Sequence, residues 1–145
     1  MTVLTKIIFI FLLFFTTLTA NVNFKEGVIN YTISGNESGI KTIYFRDYGA
    51  EQLIYIKTRS KLIRKNQIVE KIIHITPSWI HERDLVTNKS IELQNSKHVT
   101  LDLVLKQEIR ILGFHSKSEV IQIEKKPIDP NIFKIIPNYV KDIEI

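Results

Sequence analysis

Thr100-Leu101-Asp102-Leu103-Val104-Leu105-Lys106-Gln107-Glu108-Ile109-Arg110-Ile111-Leu112 decides the fold class, because it is the one long stretch that reads both ways. Wound as a helix, it gathers Leu101, Val104, Leu105, Glu108 and Leu112 on one side. Drawn out as a strand, it places Leu101, Leu103, Leu105, Ile109 and Ile111 on one face, with Asp102, Lys106, Glu108 and Arg110 opposite. The strand reading has fewer violations, so the segment is expected to be β.

The rest of the chain agrees. Gly27-Val28-Ile29-Asn30-Tyr31-Thr32-Ile33-Ser34 alternates, with Ile29, Tyr31 and Ile33 on one face, and Gly35-Asn36-Glu37-Ser38-Gly39 offers two glycines for a hairpin loop. Further strands are expected over Ile40–Arg46, Glu51–Thr58, Gln67–Thr76, Trp79–Asp84, Ile91–Leu93 and Glu119–Glu124. Gly49 closes the turn Asp47-Tyr48-Gly49-Ala50, where a positive φ costs it little. The basic stretch Arg59–Asn66 reads as a loop, as do Gln94–Lys97 and a polar turn after Gly113. Pro127, Pro130 and Pro137 keep the C-terminal segment extended, apart from one turn at Asp129–Phe133. About eight antiparallel strands must deal with their edges, so the expected architecture is mainly β: a curved antiparallel sheet or incomplete barrel with little helix.

Residues Met1–Ala20 carry a different message. Lys6 precedes an unbroken apolar run, Ile7 to Phe15, followed by Thr16-Thr17-Leu18-Thr19-Ala20 before polarity changes at Asn21. This is the pattern of a cleaved secretory signal, too short to span a membrane comfortably, and no later run is long enough to serve as a transmembrane segment. Residues 1–20 are therefore read as a signal peptide and 21–145 as one β-rich domain, located in the periplasm; retention of residues 1–20 as an uncleaved anchor is the alternative, because Leu18 is bulky for a position so near the cut. The chain has no cysteine, so neither a disulfide nor lipidation at the cleavage site is available. Its net charge is +5 with both signs interspersed, which reads as a lysine-rich solvated surface and disfavours nucleic acid, whose binders cluster their cations.

Catalytic signals are weak. There is no Gly-x-Ser-x-Gly elbow, the five glycines are scattered one per turn, and the carboxylates lie on polar strand phases or in turns. The chain is read as a non-enzyme with no cofactor. One histidine arrangement is notable: if Pro77-Ser78 centres a hairpin, Thr76 faces Trp79, Ile75 faces Ile80 and His74 faces His81. Opposed imidazoles would supply half a metal site or a pH-sensitive contact, but no third ligand is evident, although Glu70 and Arg83 share their strand phases.

Several motifs then carry a resemblance. Phe24-Lys25-Glu26-Gly27-Val28-Ile29-Asn30-Tyr31, with Gly35, Gly39 and Tyr44-Phe45-Arg46-Asp47-Tyr48-Gly49, resembles the opening of a family of uncharacterised bacterial periplasmic proteins. Trp79-Ile80-His81 with Asp84-Leu85 looks like that family's Trp hairpin, with His81 where Tyr is common. Leu103-Val104-Leu105-Lys106 looks like its Leu-Pro-Leu-Lys strand, and Phe133-Lys134-Ile135-Ile136-Pro137-Asn138-Tyr139 like its closing motif. That family is similar to the LolA and LolB lipoprotein carriers, whose incomplete barrel wraps helices around an apolar cavity. Here only Glu92–Thr100 stands where a helical stretch and a cysteine-bearing hairpin are usual. The resemblance implies a shortened member with a curved sheet.

Two functions fit. The first is binding of an apolar or amphipathic ligand, a lipid or lipoprotein acyl chain, on the concave face of the sheet, lined by Ile29, Tyr31, Ile33, Ile43, Phe45, Leu53, Tyr55 and Trp79. Each buried methylene would contribute ~0.8 kcal/mol before the costs of association. The second is a structural or protein-protein interaction module of the cell envelope that uses a sheet edge or apolar patch.

Overall fold

The described residues form nine strands, most of them over alternating apolar and polar runs: β1 (Phe14–Ala20), β2 (Gly27–Gly35), β3 (Glu37–Arg46), β4 (Glu51–Ser60), β5 (Gln67–Ile75), β6 (Trp79–Asp84), β7 (Ser90–Gln94), β8 (Leu103–Ile111) and β9 (Phe114–Lys125). The computed structural model describes residues 14–20, 22–61, 67–95, 101 and 103–134. All nine strands join one antiparallel sheet in the order β1-β8-β9-β2-β3-β4-β5-β6-β7, which is not closed into a barrel. Of the ambiguous stretch, Leu103–Ile111 form a strand, β8, while Thr100 and Asp102 lie outside the described residues, and the protein is mainly β. β2 to β7 form a meander, while β9 returns to the free side of β2 and carries β8 and β1 beyond it.

Curvature comes from the β8–β9 hairpin. β8 pairs with β9 only from Lys106↔Glu119 to Ile111↔Phe114. A bulge in β9 opposite Asn30 and Tyr31 leaves Ile121 as the extra residue, and near it the start of β8 leaves the β9 ladder. Bulges bend strands and increase twist. Leu103, together with Leu101, then packs over Ile29, Tyr31, Ile43 and Phe45, with Leu105 against the edge of the same cluster. We call the side of Ile29 and Ile43 the front.

On the back, Val28, Leu53 and Ile72 are covered by Ile128 and Phe133 from the segment after β9. That segment includes a single 3-10 turn, Pro130–Lys134, close to the turn expected at Asp129–Phe133. Glu26 helps fix it by accepting a hydrogen bond from the Ile128 N–H at 2.9 Å. The molecule therefore has two apolar clusters, one on each face of the same sheet.

Turn chemistry matches the sequence at Gly49 and differs at two hairpins. Asp47, Tyr48 and Gly49 all have positive φ, and a Cβ on Gly49 would lie 2.2 Å from Leu101 Cβ; glycine is required both by conformation and by packing. The expected glycine-bounded loop is shorter than its motif, because β3 starts at Glu37 and only Asn36 remains at the apex. Asn36 Oδ1 accepts from the His115 N–H at 2.6 Å, and the Asn36 N–H donates to His115 O at 2.7 Å.

No polar turn separates Gly113 from Glu119. Leu112 and Gly113, both at positive φ, complete the hairpin in two residues, and Phe114–Ser118 belong to β9. Ser118 pairs with Gln107 on one side and with Ile33 on the other, so ladder bonds on both sides outweigh serine's weak strand preference.

Of the expected signal peptide, Phe14–Ala20 form β1, paired with β8 from Phe14↔Arg110 to Ala20↔Leu103; residues 1–13 lie outside the described residues. So do 62–66 of the basic loop, 96–97 of the Gln94–Lys97 loop and 135–139 of the closing motif. Among the described residues no helix is long and apolar enough to cross a membrane.

Candidate functional site

Strand register divides the eight candidate lining residues between the two faces. Ile29, Tyr31, Ile43 and Phe45 meet on the front and are buried, with Ile29 and Phe45 at 0% exposure beneath Leu101 and Leu103. Ile33 shares their strand phase but lies further along β2, opposite Gly39, and is partly exposed. Leu53 sits opposite Tyr44, not Phe45, so it and Tyr55 face the back. There Leu53 is buried under the C-terminal segment, and the Tyr55 hydroxyl donates to Glu70 Oε1 at 2.7 Å. Trp79, at the start of β6, is 49% exposed. Four residues are thus brought together, as filled core.

The Pro77-Ser78 hairpin has the register read from the sequence: Ile75 faces Ile80 and His74 faces His81. Each imidazole has its own carboxylate. His74 Nε2 lies 2.9 Å from Glu51 Oε1, and His81 Nδ1 lies 3.2 Å from Glu92 Oε2. Glu51 also holds Arg46, whose guanidinium lies over the Phe133 ring at 4.7 Å, while the His74 ring stands 6.0 Å from the same phenyl. This polar row across the back clamps Phe133, so His74 acts in packing. Among the described residues no group of three His, Cys, Asp or Glu has the spacing of a metal site.

Further along the back, Glu70 joins Tyr55 and Lys57 in a second row. The Tyr55 hydrogen bond, then the Lys57 ammonium, hold its carboxyl below the ordinary range. Beyond these residues lies a surface groove of about 330 Å³ with Ile40 and Ile68 beside Lys57 and Arg59. None of the candidate lining residues reaches it.

Sequence reasoning named Ile91–Leu93 as a short strand but gave it no role, and this is where the surface is most available. Every residue of β7 is exposed, and among the described residues no strand pairs with its outer side. Asp84 N–H donates to Lys89 O and Asn95 N–H donates to Ser78 O. Because antiparallel ladders alternate, the odd-numbered residues of β7 bond to β6, and the backbone groups of Ser90, Glu92 and Gln94 point outward.

The edge is pinned at both ends. At one, Asp84 Oδ1 accepts from the N–H groups of Val86 and Thr87 at 2.9 and 2.8 Å, and these bonds, Thr87 first, lower its pKa. At the other, Asn95 Nδ2 donates to Thr76 O at 2.8 Å. Ile91 and Leu93, 56% and 57% exposed, flank the edge on the front, and Trp79 flanks it on the back. The signal available in the sequence was Ser90-Ile91-Glu92-Leu93-Gln94 itself: apolar residues alternating in a strand too short to be interior.

Compared with protein-family models, curated proteins and solved structures, the chain matches none of them, so its likeness to the LolA and LolB carriers rests on the quoted motifs alone.

Proposed function

We propose that the protein is an exported interaction module of the cell envelope that adds an extended segment of a partner protein to the outer edge of β7. The observation that carries this reading is the outward backbone of Ser90, Glu92 and Gln94, anchored at its two ends by Asp84 and Asn95 and bordered by apolar side chains. Strand addition takes its affinity from main-chain hydrogen bonds and its specificity from alternate side chains. Ile91 and Leu93 suit apolar residues on the front of an added strand, and Glu92 suits a cation opposite it on the back. An acyl ligand needs a cavity against a face of the sheet, and both faces already carry packed clusters, under Leu101 and Leu103 on the front and under Ile128 and Phe133 on the back, which favours a ligand that needs only an edge.

Glu92→Pro tests the reading, because proline is tolerated where a strand N–H faces solvent yet removes the outward donor. Leu93→Lys is a second, independent block. The protein and both variants, purified gently from their own envelope, are compared by native mass spectrometry. A bound polypeptide present with the parent chain and lost from both variants is the expected result. A lipid adduct that survives in all three would replace this reading with the acyl-carrier one.

A further inference from the structure

We propose that the outer edge of β8 is a homotypic interface, masked in the full chain by β1 and uncovered for pairing with a second copy once residues 1–20 are removed. The inference rests on export with cleavage after Ala20, and it concerns the sheet edge opposite β7.

The described side chains of β1 from Thr16 to Thr19 are all exposed, with Leu18 at 58%, and Ala20 packs against the front cluster. β1 supplies β8 with a backbone ladder over seven residues, Phe14↔Arg110 to Ala20↔Leu103. Removing it takes Ala20 from the rim of the front cluster and leaves a strand with unpaired donors and acceptors. Such an edge is a template for pairing.

The sequence of β8 is complementary to itself. The two-residue turn at Leu112-Gly113 closes on the Ile111–Phe114 pair, so odd-numbered residues bond to β9 and the backbone groups of Lys106, Glu108 and Arg110 face outward. Two copies related by a two-fold axis at Gln107 would set Lys106 against the second copy's Glu108, and that copy's Lys106 against Glu108, on the back. Leu105 would meet Ile109, twice, on the front. Charge and apolar character both match across this axis, as an isologous interface requires. In the full chain Lys106 and Glu108 face Leu18 and Thr16 of β1, which bring no charge, while Ile109 faces Phe15 and Leu105 is the bulged residue of that ladder.

The test begins with the full chain expressed in its envelope, purified and weighed intact. A mass lacking residues 1–20, with a solution mass of two chains by light scattering, is expected. Glu108→Lys and Lys106→Glu should each give single chains, because like charges then face each other twice, and the double exchange should restore the dimer. Because the chain has no cysteine, Gln107→Cys gives a direct geometric readout. Directly opposed residues in an antiparallel pair lie about 4.5–5.5 Å apart at Cα, within disulfide reach, so mild oxidation should link two copies. A Ser38→Cys control, on the far hairpin, should not link. Retention of residues 1–20, a cleaved protein that stays single, or a dimer indifferent to these charges would each overturn the proposal. Loss of the β7 adduct in Glu92→Pro would not alter any of these outcomes, so the two readings fail separately.

Discussion

Tyr31 shows how one residue's surroundings set a measurable property. Its side chain is 2% exposed within the front cluster, with Lys41 Nζ 3.9 Å from its ring centroid. Burial pushes its phenol from 10.0 up to about 12, because the ionised form is the one desolvation disfavours. In the unfolded chain the phenol ionises near its ordinary value, so its contribution to stability is fully present below pH 10 and is lost as the pH rises towards about 12. Lys41 acts in the opposite sense: burial lowers its pKa from 10.5, so the stability that its buried charge costs is recovered as the pH rises towards 10.5. The Tyr31→Phe variant should therefore lose stability between pH 10 and about 12 less steeply than the parent chain, as read from urea midpoints. In the same variant, phenolate absorbance should lose the component that titrates near about 12.

At the scale of the element, the β5–β6 hairpin depends on one hydroxyl. Thr76 Oγ1 accepts from the Trp79 N–H at 2.9 Å and the Ser78 N–H at 3.3 Å, closing the turn around Pro77. These bonds help set the register that brings His74 opposite His81 and holds β6 for β7 to pair with. Thr76→Ala should cost about 1 kcal/mol, the usual net value of such hydrogen bonds, and Thr76→Ser should recover most of it. Chemical denaturation of the three proteins checks this. The hairpin was legible in the sequence because its signal is local: proline and serine between two alternating runs. The start of β9 was less legible. Ser116-Lys117-Ser118 has the composition of a turn, and only β8 on one side with β2 on the other makes it strand.

For the whole molecule, the consequence of one sheet with two covered faces is energetic independence. Leu103 is 3% exposed in the front cluster and Phe133 4% in the back one, and the two clusters share no residue. Leu103→Ala should cost about 2–5 kcal/mol and Phe133→Ala about 3–5 kcal/mol. Their effects should add to within about 0.5 kcal/mol in the double variant, because neither side chain shares a partner with the other. A marked excess or shortfall in the double variant's urea midpoint would mean that the two faces are coupled through the sheet.

Sequence alone determined that the chain is β, where eight of the nine described strands fall, the hairpin register at His74 and His81, and the turn at Gly49. Each is a matter of neighbours within a few positions, where period two and turn chemistry govern. Which apolar residues face a common space was decided only by the tertiary structure. Leu53 and Phe45 both read as apolar strand positions, but the β3–β4 register sends them to opposite faces. Leu101 and Leu103 fill the front because β8 leaves β9 and crosses over Ile29 and Phe45. β7 and β1 became the outer strands because β9 pairs with β2 across more than 80 residues of chain. Such long-range pairing leaves no periodic trace in either segment, because the bonds that form it are backbone groups common to every residue.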